Sequence, residues 1–119
     1  METPKVFDSE YRFCLILWEH EPISSTKLAV LCRERLGWSK TTTYTVIRRL
    51  CDRGVIQNVN AVVTSLISKE QVQESELNSL VEKTFEGSLP AFIAAFSRSK
   101  KLIDAEVDQL QALIDAYKG

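Results

Sequence analysis

The chain is poor in the residues from which most reaction centres and cofactor cradles are made. Its 119 residues include one histidine, four glycines and three prolines. A single His20 cannot build a His-based metal cluster. With glycine so scarce, no Gly-rich loop is present to wrap a phosphate. Cys14, Cys32 and Cys51 are odd in number, none sits in a CxxC pair, and each lies in an apolar helical pattern, which reads as reduced, buried thiols and argues against a zinc or copper site. No Ser/His/Asp set offers a nucleophile, so an enzyme is not expected. No stretch approaches the length of a membrane span, and Glu2 is followed by no apolar leader. A cytoplasmic protein without membrane insertion, metal or cofactor is the expectation.

What is present is ordinary in amount and uneven in placement. Hydrophobic residues make up 45% and charged residues 26%, as in a globular domain rather than a disordered chain. The net charge of −1 conceals a division: residues 1–67 carry nine Lys/Arg against seven Asp/Glu, and residues 68–119 carry six against nine. Between Lys27 and Arg53, seven basic residues face only Glu34 and Asp52.

The periodicity is helical almost throughout. Tyr11, Cys14, Leu15 and Trp18 mark a first helix, and the added Phe13, Ile16 and Leu17 make it too apolar for one wet face, so it should be central. Pro22 and Ser24 open a second, with Leu28, Leu31, Cys32 and Leu36 inward and Gly37 as its stop. Ser39 caps a third, in which Thr43, Val46, Ile47 and Leu50 point inward and Gly54 ends the run. The β-branched segments 55–59 and 61–64 predict a short hairpin turning near Asn60. Ser68 and Gln71 form a capping box for a fourth helix with Leu77, Leu80, Val81 and Phe85 inward. A fifth carries Leu89, Phe92, Ile93 and Phe96, with Pro90 in its first turn. In the sixth, Ile103, Val107, Leu110, Ile114 and Tyr117 follow the spacing of a helix–helix seam.

Three helices and a hairpin, two of the helices joined by the short Gly37-Trp38-Ser39 link, describe a winged helix-turn-helix. The fold expected is mainly α: a winged helix-turn-helix DNA-binding domain over 1–67, then a three-helix dimerisation domain over 68–119. The third helix is the natural reader of the major groove. Its inward positions being taken by packing, the candidates for DNA contact are Lys40, Thr41, Thr42, Tyr44, Thr45, Arg48 and Arg49. Hydroxyls bond phosphates or base edges, a threonine methyl can rest on thymine, and Arg48 can reach a guanine or a phosphate. Each feature has a purely structural alternative: threonines at a helix start often only cap it, and Arg49 and Arg53 could serve the helix dipole. Pairing of two copies is expected through Phe85, Leu89, Phe92, Ile93, Phe96, Leu110 and Ile114, some of which must instead form an internal core.

Trp18, then Leu36-Gly37-Trp38-Ser39 with Thr42, Thr45 and Arg49-Leu50, then Arg53-Gly54, resemble the penicillinase and methicillin-resistance repressor family (BlaI/MecI/CopY). Phe85-Glu86-Gly87-Ser88-Leu89 and the run from Leu110 to Asp115 are similar to that family's C-terminal half. The resemblance implies a homodimeric repressor on a palindromic operator in double-stranded DNA, with Thr42, Thr45 and Arg49 where the family's recognition helix is most constant. It leaves open a membrane sensor or a protease as a further partner. The chain departs from the family in three places. The wing lacks a Gly-Arg pair and a following aromatic. The Asn-Phe cleavage pair of antibiotic-responsive members is Ala95-Phe96 here. No cysteine follows Cys51, where copper-responsive members carry a Cys-rich motif. The uncharged wing also keeps a second class in view, a winged-helix protein-interaction module that has lost operator binding.

Overall fold

A computed structural model describes residues 3–118, so Glu2 and Gly119 lie outside it. The elements run α1 (Asp8–His20), β1 (Ile23–Ser24), α2 (Ser25–Leu36), α3 (Lys40–Asp52), β2 (Ile56–Val59), β3 (Val62–Ser65), α4 (Lys69–Phe85), α5 (Leu89–Ser99) and α6 (Asp104–Lys118). The fold is therefore mainly helical, a winged helix-turn-helix followed by three helices. Two compact units emerge, one up to Leu77 and one from Asn78 onward.

Local chemistry sets the boundaries of the first unit. Ser24 accepts from the backbone N–H of Lys27, and Ser39 from that of Thr42, each satisfying a donor left over at a helix start. Gly37 ends α2 with φ +70°, a left-handed conformation that costs a side-chain-bearing residue about 1 kcal/mol. Trp38 stacks on Phe13 with ring centroids 6.1 Å apart, which fixes the turn between α2 and α3 against α1. As expected for a central helix, α1 buries Phe13, Cys14, Ile16 and Leu17 together. They meet Leu28 and Cys32 of α2, Ile47 and Leu50 of α3, and Val55, Ile56 and Val63 of the hairpin in one core.

The hairpin belongs to a larger sheet than the sequence predicts. Ile23 and Ser24 pair antiparallel with Val63 and Val62, giving the strand order β1-β3-β2. Two residues are too few to show an alternating pattern, so β1 is invisible to periodicity. Around the turn, Asn60 has φ +52° and Ala61 φ +64°, the two left-handed residues of a two-residue hairpin loop. The Ala61 carbonyl accepts from the Ser25 N–H at 2.9 Å, and the Glu21 carboxylate accepts from the Ser65 N–H at 2.7 Å. Both ends of the sheet are thus tied to the segment that joins α1 to α2.

The capping box of α4 forms: Ser68 N–H donates to Gln71 Oε1, and Gln71 N–H to Ser68 Oγ. Its first turns belong to the first unit, where Val72 is buried and Lys5 meets Glu76 at 3.8 Å. The division between compact units therefore falls inside α4 rather than at the junction expected near 66–69. Farther along α4, Leu77 and Leu80, expected inward, are exposed, whereas Val81 is buried as expected. From Asn78 onward Val81 is the one buried residue among those described. Ser88 caps α5 by accepting from the Ala91 N–H, and Phe92 packs edge-on to Phe85 at 5.5 Å. The seam positions, Ile103 just before α6 and Val107, Leu110, Ile114 and Tyr117 within it, are all exposed in the single chain.

Candidate nucleic-acid interface

With 100° between successive residues, burial of Thr43, Val46, Ile47 and Leu50 determines what the rest of α3 presents. Thr41, Thr45 and Arg48 fall opposite the core. Lys40 and Tyr44 flank them on one side, and Thr42 and Arg49 on the other. Lys40, Thr41, Thr42, Arg48 and Arg49 are exposed, and Tyr44 and Thr45 are half-buried. One helix face thus brings together all seven sequence-predicted residues.

Hydrogen bonds narrow what several of them can offer. Ser39 Oγ donates to Thr42 Oγ1 at 2.9 Å while it accepts from the Thr42 N–H, so the cap and the first threonine turn form one small network. Thr45 Oγ1 donates to the Thr41 carbonyl at 2.9 Å, which leaves its lone pairs and its methyl group for a ligand. Lys40 Nζ lies 6.0 Å from the centre of the Tyr44 ring, a weak cation–π contact that steers the ammonium along the helix face. Arg48 and Arg49 have no ion-pair partner among the described residues. Asp52, one turn beyond Arg48, is the one carboxylate on this helix.

The basic surface is thinner than the sequence sum. Arg53 forms an ion pair with Glu10, donates to the Lys5 carbonyl at 3.1 Å and lies over the Phe7 ring at 5.2 Å. Glu10 is 5% exposed, so Arg53 neutralises a carboxylate inside the fold. The other oxygen of that carboxylate accepts from the Phe7 N–H at 2.9 Å and caps α1. Arg35 pairs with Glu19 at 3.0 Å on the surface. Two of the seven basic residues between Lys27 and Arg53 therefore serve the fold. Their partners lie 16 and 43 positions away, beyond the reach of any local pattern.

The wing presents no cation. Residues 54–68 contain no charged side chain. Gln57 Nε2 donates to Thr64 Oγ1 at 3.1 Å across the hairpin, and the Val59–Val62 pair next to the turn is exposed.

The three cysteines of this unit lie in or beside its core. Cys14 and Cys32 are buried, and burial pushes the Cys14 thiol up to about 12, with the Glu10 carboxylate adding to the effect. Burial raises Cys32 as well, partly opposed by the Thr43 hydroxyl beside it. Cys51 is half-buried rather than buried as expected, because it sits at the flank of α3; desolvation and then Asp52 raise it too. These thiols stay protonated near neutral pH and are poor nucleophiles. No helix among the described residues is long and apolar enough to cross a membrane.

Comparisons with known proteins agree with this architecture. A family model described as the penicillinase repressor matches residues 8–116. The penicillinase repressor of Bacillus licheniformis is 21% identical over 122 residues, a match covering 99% of this chain and 95% of that protein. The methicillin resistance regulatory protein MecI of Staphylococcus aureus is 20% identical over 118 residues, covering 96% of each. Among solved structures, the solution structure of the DNA-binding domain of the repressor BlaI superposes with a TM-score of 0.54 at 22% identity. That likeness covers 60% of this chain and 93% of that one, and it concerns the fold alone.

Proposed function

The chain belongs to the penicillinase repressor family, a family of DNA-binding repressors, and from that premise we propose that it represses transcription in the cytoplasm as a homodimer bound to a palindromic operator. The observation that carries this reading is the division of α3 into a buried apolar face and an outward face of hydroxyls and cations. In the major groove, Arg48 is placed for a guanine edge or a phosphate. Thr41, Thr42 and Thr45 supply hydroxyl and methyl contacts, Tyr44 and Lys40 line one flank and Arg49 the other. Backbone N–H groups of the first turn would face a phosphate.

Residues 1–67 serve as the DNA-binding part and 68–119 as the pairing part. Support for pairing comes from the apolar surface of α5 and α6, where Leu89, Ile93, Phe96, Leu110 and Ile114 are each about half exposed or nearly so. Phe85 and Phe92, half-buried against each other, form the internal base of that surface. Covering such side chains stabilises by roughly 1 kcal/mol each, in proportion to the apolar area still open. The acidic balance of 68–119 keeps this part away from the phosphates. Two linked readers then engage half-sites about one helical turn apart, ~34 Å.

Gel-shift titration against fragments upstream of its own operon tests the reading. Binding should weaken with salt by roughly 0.9 log units in affinity per log unit of salt for each phosphate neutralised. Absence of any shift at low salt would refute it. The uncharged wing favours one other reading, an interaction module without operator binding. A monomer that is not retained on heparin would support that module, and a retained dimer the repressor.

A further inference from the structure

One cavity of the first unit takes no side chain from α3. It is lined by the start of α1 and the first turns of α4, and its volume of about 470 Å³ falls within the range of small-molecule sites. Buried Val6 and Val72 and half-buried Tyr11 form its apolar wall. Asp8 and Arg12, one turn apart on α1, line it together with Gln73 and Glu76 of α4. Glu76 is already matched by Lys5 at 3.8 Å. Asp8 and Arg12 stand at the i, i+4 spacing at which opposite charges usually meet, yet neither has an ion-pair partner among the described residues. A second cavity of the same volume also borders Asp8 and Arg12, so the unmatched pair is not hidden beneath a neighbour.

A ligand with one charge would leave the opposite group of this pair unanswered, and a ligand without an apolar body would leave Val6, Tyr11 and Val72 wet. We propose that the cavity binds a small zwitterion with an apolar side chain, the chemistry of a free hydrophobic amino acid. Its carboxylate meets the Arg12 guanidinium, which can fork onto two carboxylate oxygens at once. Its ammonium meets the Asp8 carboxylate, and its side chain covers the apolar wall. The Gln73 amide offers a donor and an acceptor to whichever pole lies nearer. Because the lining comes from both α1 and α4, an occupant links the two helices within the first unit. A ligand bound only by the folded state then stabilises that unit by mass action. This site lies wholly within the first unit and is independent of DNA reading.

The test is isothermal titration of the full chain with L-phenylalanine, beside N-acetylphenylalanine, which lacks the ammonium, and phenylalaninamide, which lacks the carboxylate. Phenylalanine should bind with a Kd on the order of 0.1–1 mM, as expected for so small a ligand. Each one-pole analogue should bind at least roughly ten-fold more weakly, the size of one charge-assisted hydrogen bond. Arg12 and Asp8 are exposed, so Arg12→Gln and Asp8→Asn should fold as wild type does and weaken phenylalanine by a similar factor. Arg12→Gln should leave phenylalaninamide unaffected, and Asp8→Asn should leave N-acetylphenylalanine unaffected. Phenylalanine should raise the urea midpoint of wild type and not that of the double variant. Absence of binding by phenylalanine, or variants that bind it as tightly as wild type, would overturn the site. N-acetylphenylalanine binding as tightly as phenylalanine would reduce it to a plain anion site and overturn the zwitterion. None of these outcomes bears on the gel shift, so the repressor reading is judged separately.

Discussion

Replacing Arg53 with methionine removes the guanidinium that joins the end of α3 to the start of α1 while keeping much of the side chain's apolar bulk. Its partner Glu10 is 5% exposed and would retain only the Phe7 N–H. Removing one member of a buried ion pair typically costs ~3–5 kcal/mol, because the other charge is left desolvated. The Arg53 side chain is 28% exposed, so water can enter and screen the orphaned carboxylate, which lowers the cost. Loss of the hydrogen bond to the Lys5 carbonyl adds about 1 kcal/mol. The expected destabilisation is about 2–4 kcal/mol. Trp18 and Trp38 both lie in the first unit, so urea unfolding followed by tryptophan fluorescence reads that unit alone. The midpoint should fall by roughly 1–2 M. Glu10→Gln keeps an acceptor for the Phe7 N–H, and combined with Arg53→Met it should show a coupling of more than about 1 kcal/mol. A loss below about 0.5 kcal/mol, or strict additivity, would refute the assignment of Arg53 to the fold. So would a fall in DNA affinity at constant folded fraction as large as that from removing Arg48.

Arg48→Ala should leave the urea midpoint unchanged, weaken operator binding by roughly 1–3 kcal/mol and relax sequence preference at one position, measured by anisotropy on matched and mismatched duplexes. Phe96→Asp should convert the protein from dimer to monomer in light scattering after size exclusion, with unaltered tryptophan fluorescence. The Cys14 thiol ionises near 9.0 when unfolded but keeps its proton to about 12 when folded. The unfolded chain therefore loses that proton first, so the contribution is constant below pH 9 and declines as pH rises from there toward 12. The stability difference between wild type and Cys14→Ala, from urea curves at a series of pH values, should shrink over that window. Ser39→Ala should cost about 1 kcal/mol by freeing the Thr42 N–H, visible as a lower melting temperature.

Features legible in the sequence are those written within one turn or one strand pair. Ser24, Ser39 and the Ser68/Gln71 box cap where they were expected to, and Thr43, Val46, Ile47 and Leu50 form the inward face of α3. Two-residue β1 gives no period, and the Arg53–Glu10 pair is made by residues that only the folded chain brings together. Leu77 and Leu80 follow a helical apolar period, yet periodicity states only that a face is apolar, not what covers it. The same holds for α6, whose seam is written plainly in the sequence and stands open in the single chain.

Most of α3 divides cleanly: Thr43, Val46, Ile47 and Leu50 hold the unit together, whereas Thr41, Arg48 and Arg49 meet solvent, and Tyr44 alone of the outward candidates also packs on the core. Evolution, or an engineer, can therefore rewrite positions 41, 48 and 49 with little restraint, provided the Tyr44 ring packed on the core and the Ser39–Thr42 cap are spared. A library confined to those positions should yield folded proteins with altered operators. On this scaffold, a change of target and the maintenance of a fold are separate problems.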